Sequence, residues 1–238
     1  MRFDIVTIFP DAIDAMLSVG VIGQARAAGS IDVRVHDLRD FSDDPHRIVD
    51  DRPYGGGAGM VMKVEPFVCA IEAIREGREQ GTRVVLLSSQ GTLLKHADAA
   101  RWATLDGLVL LCGRYEGIDE RIVAFVDEEV SIGDFVLAGG ETAAAAIVEA
   151  TARLTPGVVG KFDSVATDSF FDGSRLGSPQ YTRPPEFRGM SVPDVLLGGD
   201  HGRIETFRER AAWRKTVRNR PDLIGLDPVG DQHEEGDG

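Results

Sequence analysis

Short apolar runs alternate with longer amphipathic stretches along the first two thirds of this chain. Phe3–Phe9, Ile31–Leu38, Arg83–Leu87, Gly107–Cys112 and Asp127–Ser131 carry clustered Val, Ile and Leu, which predicts strands. Between them, Ala12–Ala28, Glu65–Glu79, Leu94–Ala103 and Asp119–Val126 carry helical patterns. Strands alternating with helices predict an α/β fold, a parallel sheet with flanking helices. Leu108–Cys112 has no polar residue and reads as a buried strand. A further helix is predicted over Glu141–Leu154. Its small residues, Ala143–Ala146, allow close packing either in a core or at a subunit interface.

The pattern changes after Leu154. The span Thr155–Gly189 holds Pro156, Gly157, Gly160, Gly173, Gly177, Pro179, Pro184 and Pro185, and is too long for a routine connection. Helical pieces follow at Val192–Leu197 and Gly202–Val217, with apolar Ile204, Phe207 and Trp213. They predict a second, smaller helical domain. The expected organisation is an α/β domain over 1–159, a flexible linker over 160–170, a helical domain over 171–226 and an acidic disordered tail over 227–238. No internal repeat is visible.

Charge alters the picture only locally. The net charge of −13 argues against a nucleic-acid partner at face value. Yet Phe170–Arg220 holds ten Lys or Arg against six Asp or Glu, dominated by Arg208, Arg210, Arg214, Lys215, Arg218 and Arg220. Pro221–Gly238 then has six acids and no Lys or Arg. The basic segment is either a solvated helix face or a phosphate-contacting surface. No apolar run is long enough to span a bilayer, and nothing marks export, so a cytoplasmic protein without a membrane partner is expected. Cys69 and Cys112 sit in apolar contexts without metal-ligand spacing and are expected to be reduced core thiols.

Candidate chemistry gathers at the predicted strand ends. Leu108–Cys112 stops at Gly113 and the chain re-enters a helix after Gly117, with Glu116 between them and able to meet a cation. Ser131–Glu141 follows, again bounded by glycines at 133, 139 and 140. Ligands bind at the carboxyl ends of strands in such sheets. Glycines there either shape turns or let backbone approach a ligand. Two such clusters favour a ligand pocket. There is no G-x-G-x-x-G and no G-x-x-x-x-G-K-[ST], so dinucleotide and P-loop readings lack their fingerprints. Asp50–Met60 contains four glycines in five residues, Gly55–Gly59, a loop whose amides could cradle a phosphate. Asp43, Asp44, Asp50 and Asp51 could attract Mg²⁺, but solvated acids are the simpler account. His46, His96 and His201 have no ligand partners at metal spacing.

These residues resemble the bacterial tRNA (guanine-N1)-methyltransferase family of the SPOUT class. The resemblance rests on the order and spacing of Phe3–Pro10, Asp51–Met60, Cys112–Arg121, Ser131–Glu141, Asp168-Ser169-Phe170, Tyr181–Pro184 and Gly189–Pro193. It covers almost the whole chain; the acidic end after Pro221 lies outside it. It implies a SPOUT-like fold with a C-terminal trefoil knot in the first domain, to which Cys112–Gly117 and Ile132–Gly140 belong. It implies S-adenosylmethionine as methyl donor and tRNA as substrate, methylated at N1 of guanosine 37 after a preceding guanosine. It also implies a homodimer and a dependence on Mg²⁺.

A pocket for that donor needs backbone donors and acceptors, apolar walls and little bulk. Leu86, Leu87, Ser88, Gly113, Glu116, Ile132, Gly133, Leu137, Gly139 and Gly140 suit it, and the resemblance adds Tyr115, Gly117, Asp134, Phe135 and Val136. It assigns the general base to Asp168 and an essential cation to Arg153. Guanine N1 carries a proton, so a carboxylate must take it as the methyl transfers. Hydrogen bonds to guanine O6 would stabilise the developing charge. Without the resemblance, Asp168 reads as a cap or turn residue and Arg153 as a cation at a helix C-terminus. Two rivals are a SPOUT-type enzyme acting on another RNA or atom, and a non-catalytic RNA-binding protein. Asp168 weighs against the first, and the joint presence of Glu116, Arg153 and Asp168 against the second.

Overall fold

The computed structural model describes residues 1–76, 81–159 and 167–225. The chain divides into two units, Met1–Gly160 and Lys161–Gly238. The first is built on a five-stranded sheet formed by β1 (Arg2–Thr7), β2 (Asp32–Asp37), β5 (Thr82–Leu93), β6 (Gly107–Cys112) and β7 (Glu128–Ser131). Its order is β2-β1-β6-β5-β7, and every neighbouring pair is parallel. The predicted parallel sheet is therefore present.

The alternation of side chains across these strands makes two cores. Val85 and Leu87, with Leu108, Leu110 and Cys112, face α1 (Pro10–Met16), α2 (Gly20–Ala27), α4 (His96–Trp102) and α5 (Glu141–Ala152). Val84 and Leu86, with Val109 and Leu111, face α3 (Val64–Arg75), whose Phe67, Ala70, Ile71 and Ile74 are buried. The central strands are covered on both sides, which is why β6 tolerates no polar residue.

Several elements differ from expectation. The helix expected over Ala12–Ala28 is two helices. The chain breaks after Leu17, where Ser18 Oγ donates to Asp14 O at 2.6 Å and Gly20 takes φ +63, a left-handed conformation that ends helical continuity. Asp119–Val126 is a 3₁₀ turn over Glu120–Phe125, capped by Asp119, which accepts from the Arg121 amide. Tight turns of this kind run only a few residues. The helix expected over Glu65–Glu79 ends at Arg75; residues 77–79 lie outside those described. β3 (Asp50–Asp51) and β4 (Val61–Met62) form an antiparallel pair around the glycine loop. Neither run is long enough to show a period in sequence. Cys112 is buried, but Cys69 lies on the exposed face of α3 rather than in the core.

β5 outruns its prediction. After Leu87 the chain leaves the sheet and returns at Thr92, and Leu87 and Thr92 both register with Val130 of β7. A Cβ on Gly91 would lie 2.4 Å from the Val130 amide nitrogen, so the return is passable only to glycine.

The second unit contains a short hairpin, β8 (Glu186–Phe187) with β9 (Met190–Ser191), then α6 (Asp194–Leu197) and α7 (His201–Asn219). Asp200 caps α7 by accepting from the Arg203 amide. The Thr216 hydroxyl of α7 accepts from the Leu176 amide at 2.9 Å, fastening the preceding loop to the helix. The expected tail, 227–238, and residues 160–166 of the expected linker lie outside the described residues.

Candidate functional site

Because β5, β6 and β7 are parallel neighbours, their carboxyl ends emerge on one edge of the sheet. A cleft of about 310 Å³ opens there, within the size range of small-molecule sites. Its walls are the β5 excursion, the segment after Cys112 and the segment after Ser131. Leu86, Leu87, Ser88, Gly113, Tyr115, Glu116, Gly117, Ile132, Gly133, Phe135, Val136, Leu137, Gly139 and Gly140 all line it. Of the residues expected there, Asp134 alone is not among the lining residues. The reading from sequence missed Ser89 and Gln90, because the strand was ended at Leu87 and the excursion of β5 has no sequence mark. It also missed Arg114.

Backbone joins the two glycine-bounded segments. Gly140 N–H donates to Gly113 O at 3.0 Å, and Arg114 bridges Gly139 in antiparallel fashion. The glycines serve packing more than ligand approach. A Cβ on Gly140 would lie 2.7 Å from Cys112 Cα, and one on Gly139 would strike the Arg114 side chain. The space that Gly140 clears is therefore for β6. Gly117 is different. Its φ of +116 excludes ordinary side chains, and a Cβ there would meet open space. Beside it, Tyr115 holds φ +58, a conformation unfavourable for a residue with a side chain. It is bracketed by two hydrogen bonds, Glu116 N–H to Met60 O at 3.1 Å and Gly117 N–H to Arg114 O at 3.1 Å.

The first of those bonds ties the cleft to the glycine loop of residues 55–59. Met62 N–H donates to Gly117 O and Asp119 N–H donates to Met62 O, each at 2.9 Å. Gly59 packs so close to Glu116 that a Cβ would touch its carboxylate. This loop is thus attached to the cleft wall, while Tyr54, just before it, is fully exposed.

Behind the cleft sits a buried charged network. Glu141, 4% exposed at the start of α5, accepts from the Thr7 hydroxyl of β1 at 2.6 Å and pairs with Arg114 at 3.0 Å. The Arg114 guanidinium also stacks over Phe9 at 4.5 Å from the ring centroid, and its amide donates to Met62 Sδ at 3.1 Å. A carboxylate in the first turn of a helix is favoured by the helix dipole. Cys112, beside this network, has its thiol pushed up in pKa, first by burial and then by the Glu141 charge. It is an inert core thiol.

Arg153 is the exposed C-cap residue of α5, in the first unit, and is not among the cleft-lining residues. Asp168 is half-buried in the second unit. The basic residues of α7 do not share one face. Arg208 lines a groove with Tyr181, Arg183 and Leu196, while Arg214 lines another with Arg203, Arg210 and Trp213. Among the described residues, no three His, Cys, Asp or Glu side chains gather where they could hold a metal ion. Asp44 and Asp51 instead accept from the nearby amides of His46 and Arg52.

A two-sided parallel sheet with a glycine-walled cleft at the carboxyl ends of adjacent strands defines an α/β ligand-binding protein. Comparison with known proteins narrows this. Residues 1–226 match the family described as tRNA (Guanine-1)-methyltransferase TrmD. The chain is 54% identical over 225 residues to the tRNA (guanine-N(1)-)-methyltransferase of Anaeromyxobacter sp. (strain Fw109-5), covering 94% of this chain and 90% of that protein. It is 50% identical to the proteins of the same name from Geobacter metallireducens and Geobacter sulfurreducens, in each case covering 94% of this chain and 91% of the other. The chain belongs to the tRNA (guanine-1)-methyltransferase family, and its class of activity is methyl transfer.

Proposed function

We propose that this protein transfers a methyl group from S-adenosylmethionine to N1 of guanosine 37 in tRNA, beside the anticodon. The observation that carries this reading is the cleft: it lies within the family match, and its walls combine backbone and apolar side chains with polar ones, among them the exposed carboxylates Glu116 and Glu120. S-adenosylmethionine supplies an electrophilic methyl group on a sulfonium. Leu86, Leu87, Ile132 and Leu137 would wall its apolar parts, backbone along the two segments would meet its polar edge, and Glu116 would face positive charge. The two joined segments, Cys112–Gly117 and Ile132–Gly140, are those that form the trefoil knot in this reading.

Asp168 takes the N1 proton as the methyl transfers, and Arg153 donates hydrogen bonds to the oxygen on which charge develops. The cleft belongs to the first unit and Asp168 to the second. A homodimer with the cleft of one chain meeting Asp168 of the other is the assembly we favour. The second unit grips tRNA through its basic segment. The described acids do not fit a metal centre, and no step is assigned to Mg²⁺. Among the described residues no helix is long and apolar enough to cross a membrane. The substrate, tRNA, is what places the protein's work in the cytoplasm in this reading.

The test is mass spectrometry of nucleosides after incubation with labelled S-adenosylmethionine and unmodified tRNA transcripts. Label in 1-methylguanosine, present with guanosine at position 37 and absent without it, is the expected result. Label in another nucleoside, or none, overturns the reading.

A further inference from the structure

Helix α7 carries a groove whose composition is unusual for an acidic protein. Arg210 and Arg214 lie seven and eleven residues beyond Arg203, about two and three turns of helix, so the three form one stripe. Arg175 joins them from the loop held to α7 by Thr216. Trp213 lies in the same groove and is 52% exposed, whereas the small residues Ala211, Ala212 and Thr216 occupy the buried side of the helix. An ordinary amphipathic helix would bury the indole and expose the alanines. Of the acids nearby, Glu209 lines the groove and Asp172 pairs with Arg175 at 2.8 Å. The guanidinium groups of Arg203, Arg210 and Arg214 form no ion pair among the described residues.

We infer that this groove binds an unpaired stretch of the tRNA substrate, one base stacking on Trp213 and its flanking phosphates meeting Arg203, Arg210 and Arg214. The inference rests on the tRNA reading above and adds where and how the RNA is held. Arginines beside an open aromatic face match the chemistry of single-stranded RNA, which offers a π-face and a phosphate at every nucleotide. Stacking on an aromatic residue tolerates any base, so this contact supplies affinity rather than choice of the methylated guanosine.

The chain has two tryptophans, and Trp102 is fully buried, so Trp213 is a spectroscopic reporter. Titration of the full chain with a tRNA transcript should quench its fluorescence. Trp213→Leu should weaken tRNA binding roughly 5- to 150-fold, the range for loss of one stacked base. Trp213→Phe should recover most of that loss. Neither should change S-adenosylmethionine binding or kcat at saturating tRNA. Arg210→Gln should lower the log–log salt slope of tRNA binding by roughly 0.7–0.9, whereas Trp213→Leu should leave the slope unchanged. Wild-type affinity in folded Trp213→Leu, or an unchanged salt slope in Arg210→Gln, overturns the groove while leaving methyl transfer standing. So does a Trp213-dependent change of oligomeric mass without RNA, which would make the groove a contact between copies. Wild-type protein that neither binds nor methylates tRNA overturns the functional reading, and the groove with it.

Discussion

At the scale of single residues, Gly140 and Asp168 act for different reasons. Gly140 has φ −77, a conformation open to any residue, so its lack of a side chain answers to space alone. The neighbour is Cys112 Cα on a fully buried strand that cannot recede. Gly140→Ala should therefore destabilise the protein by ~1–3 kcal/mol, the scale of overpacking, and should weaken cofactor binding by displacing the loop as a whole. Thermal unfolding and calorimetry with S-adenosylmethionine check both effects. Unchanged stability would mean that the contact relaxes without cost. Asp168→Asn keeps size and loses proton-accepting charge. Turnover should fall ~10²–10⁴-fold with cofactor binding intact. Near-normal single-turnover rates would remove Asp168 from the role of base.

At the scale of elements, the network of Glu141, Arg114 and Thr7 joins the start of α5 to the ends of β1 and β6. Each bond in it spans elements distant in sequence, so its loss should loosen the cleft without unravelling any one helix. Glu141→Gln removes the charge opposite Arg114 while keeping a group able to accept from Thr7. With Arg114 partly open to solvent, a cost of about 2 kcal/mol is expected, below that of a fully buried pair. Urea denaturation measures it. Adding Arg114→Met should recover part of the loss, because no unpaired guanidinium then remains; a purely additive double variant would show that the two groups do not interact.

At the scale of the whole molecule, stability should depend on acid through buried Asp4. Burial alone would raise its pKa, but hydrogen bonds with His36 at 2.8 Å and from Arg2 at 2.6 Å outweigh that and hold it below the ordinary value. Its folded pKa thus lies below its unfolded pKa of about 4. The resulting stabilisation is present above pH ~4 and is lost as pH falls toward the folded value. Asp119, held down to about 2 by Arg121, acts in the same direction but is open to solvent and contributes little. Asp4→Asn should lower stability at pH 7 and flatten its decline below pH ~4, as followed by chemical denaturation across pH. An unchanged pH profile would show that Asp4 does not carry the linkage.

The sheet was legible in the chain because burial on both faces leaves continuous apolar runs, as in Leu108–Cys112, and turn residues end them. The two glycine-bounded segments were legible because glycine clusters directly after such runs are uncommon without a reason. Three things were not. The excursion of β5 between Leu87 and Thr92 depends on β7 lying alongside, a neighbour some forty residues away in the chain. The break near Leu17 depends on a side chain, that of Ser18, choosing a local carbonyl. Arg114 and Glu141 look like unremarkable surface charges until the fold stacks β1, β6 and α5, closes water off from Glu141 and sets Arg114 against it. Local sequence determined which segments are strands, which helices, and which loops must be small. Which of those loops touch, and therefore where a cleft opens and which charges are buried behind it, was decided by tertiary packing, because those contacts join residues that no short-range pattern relates.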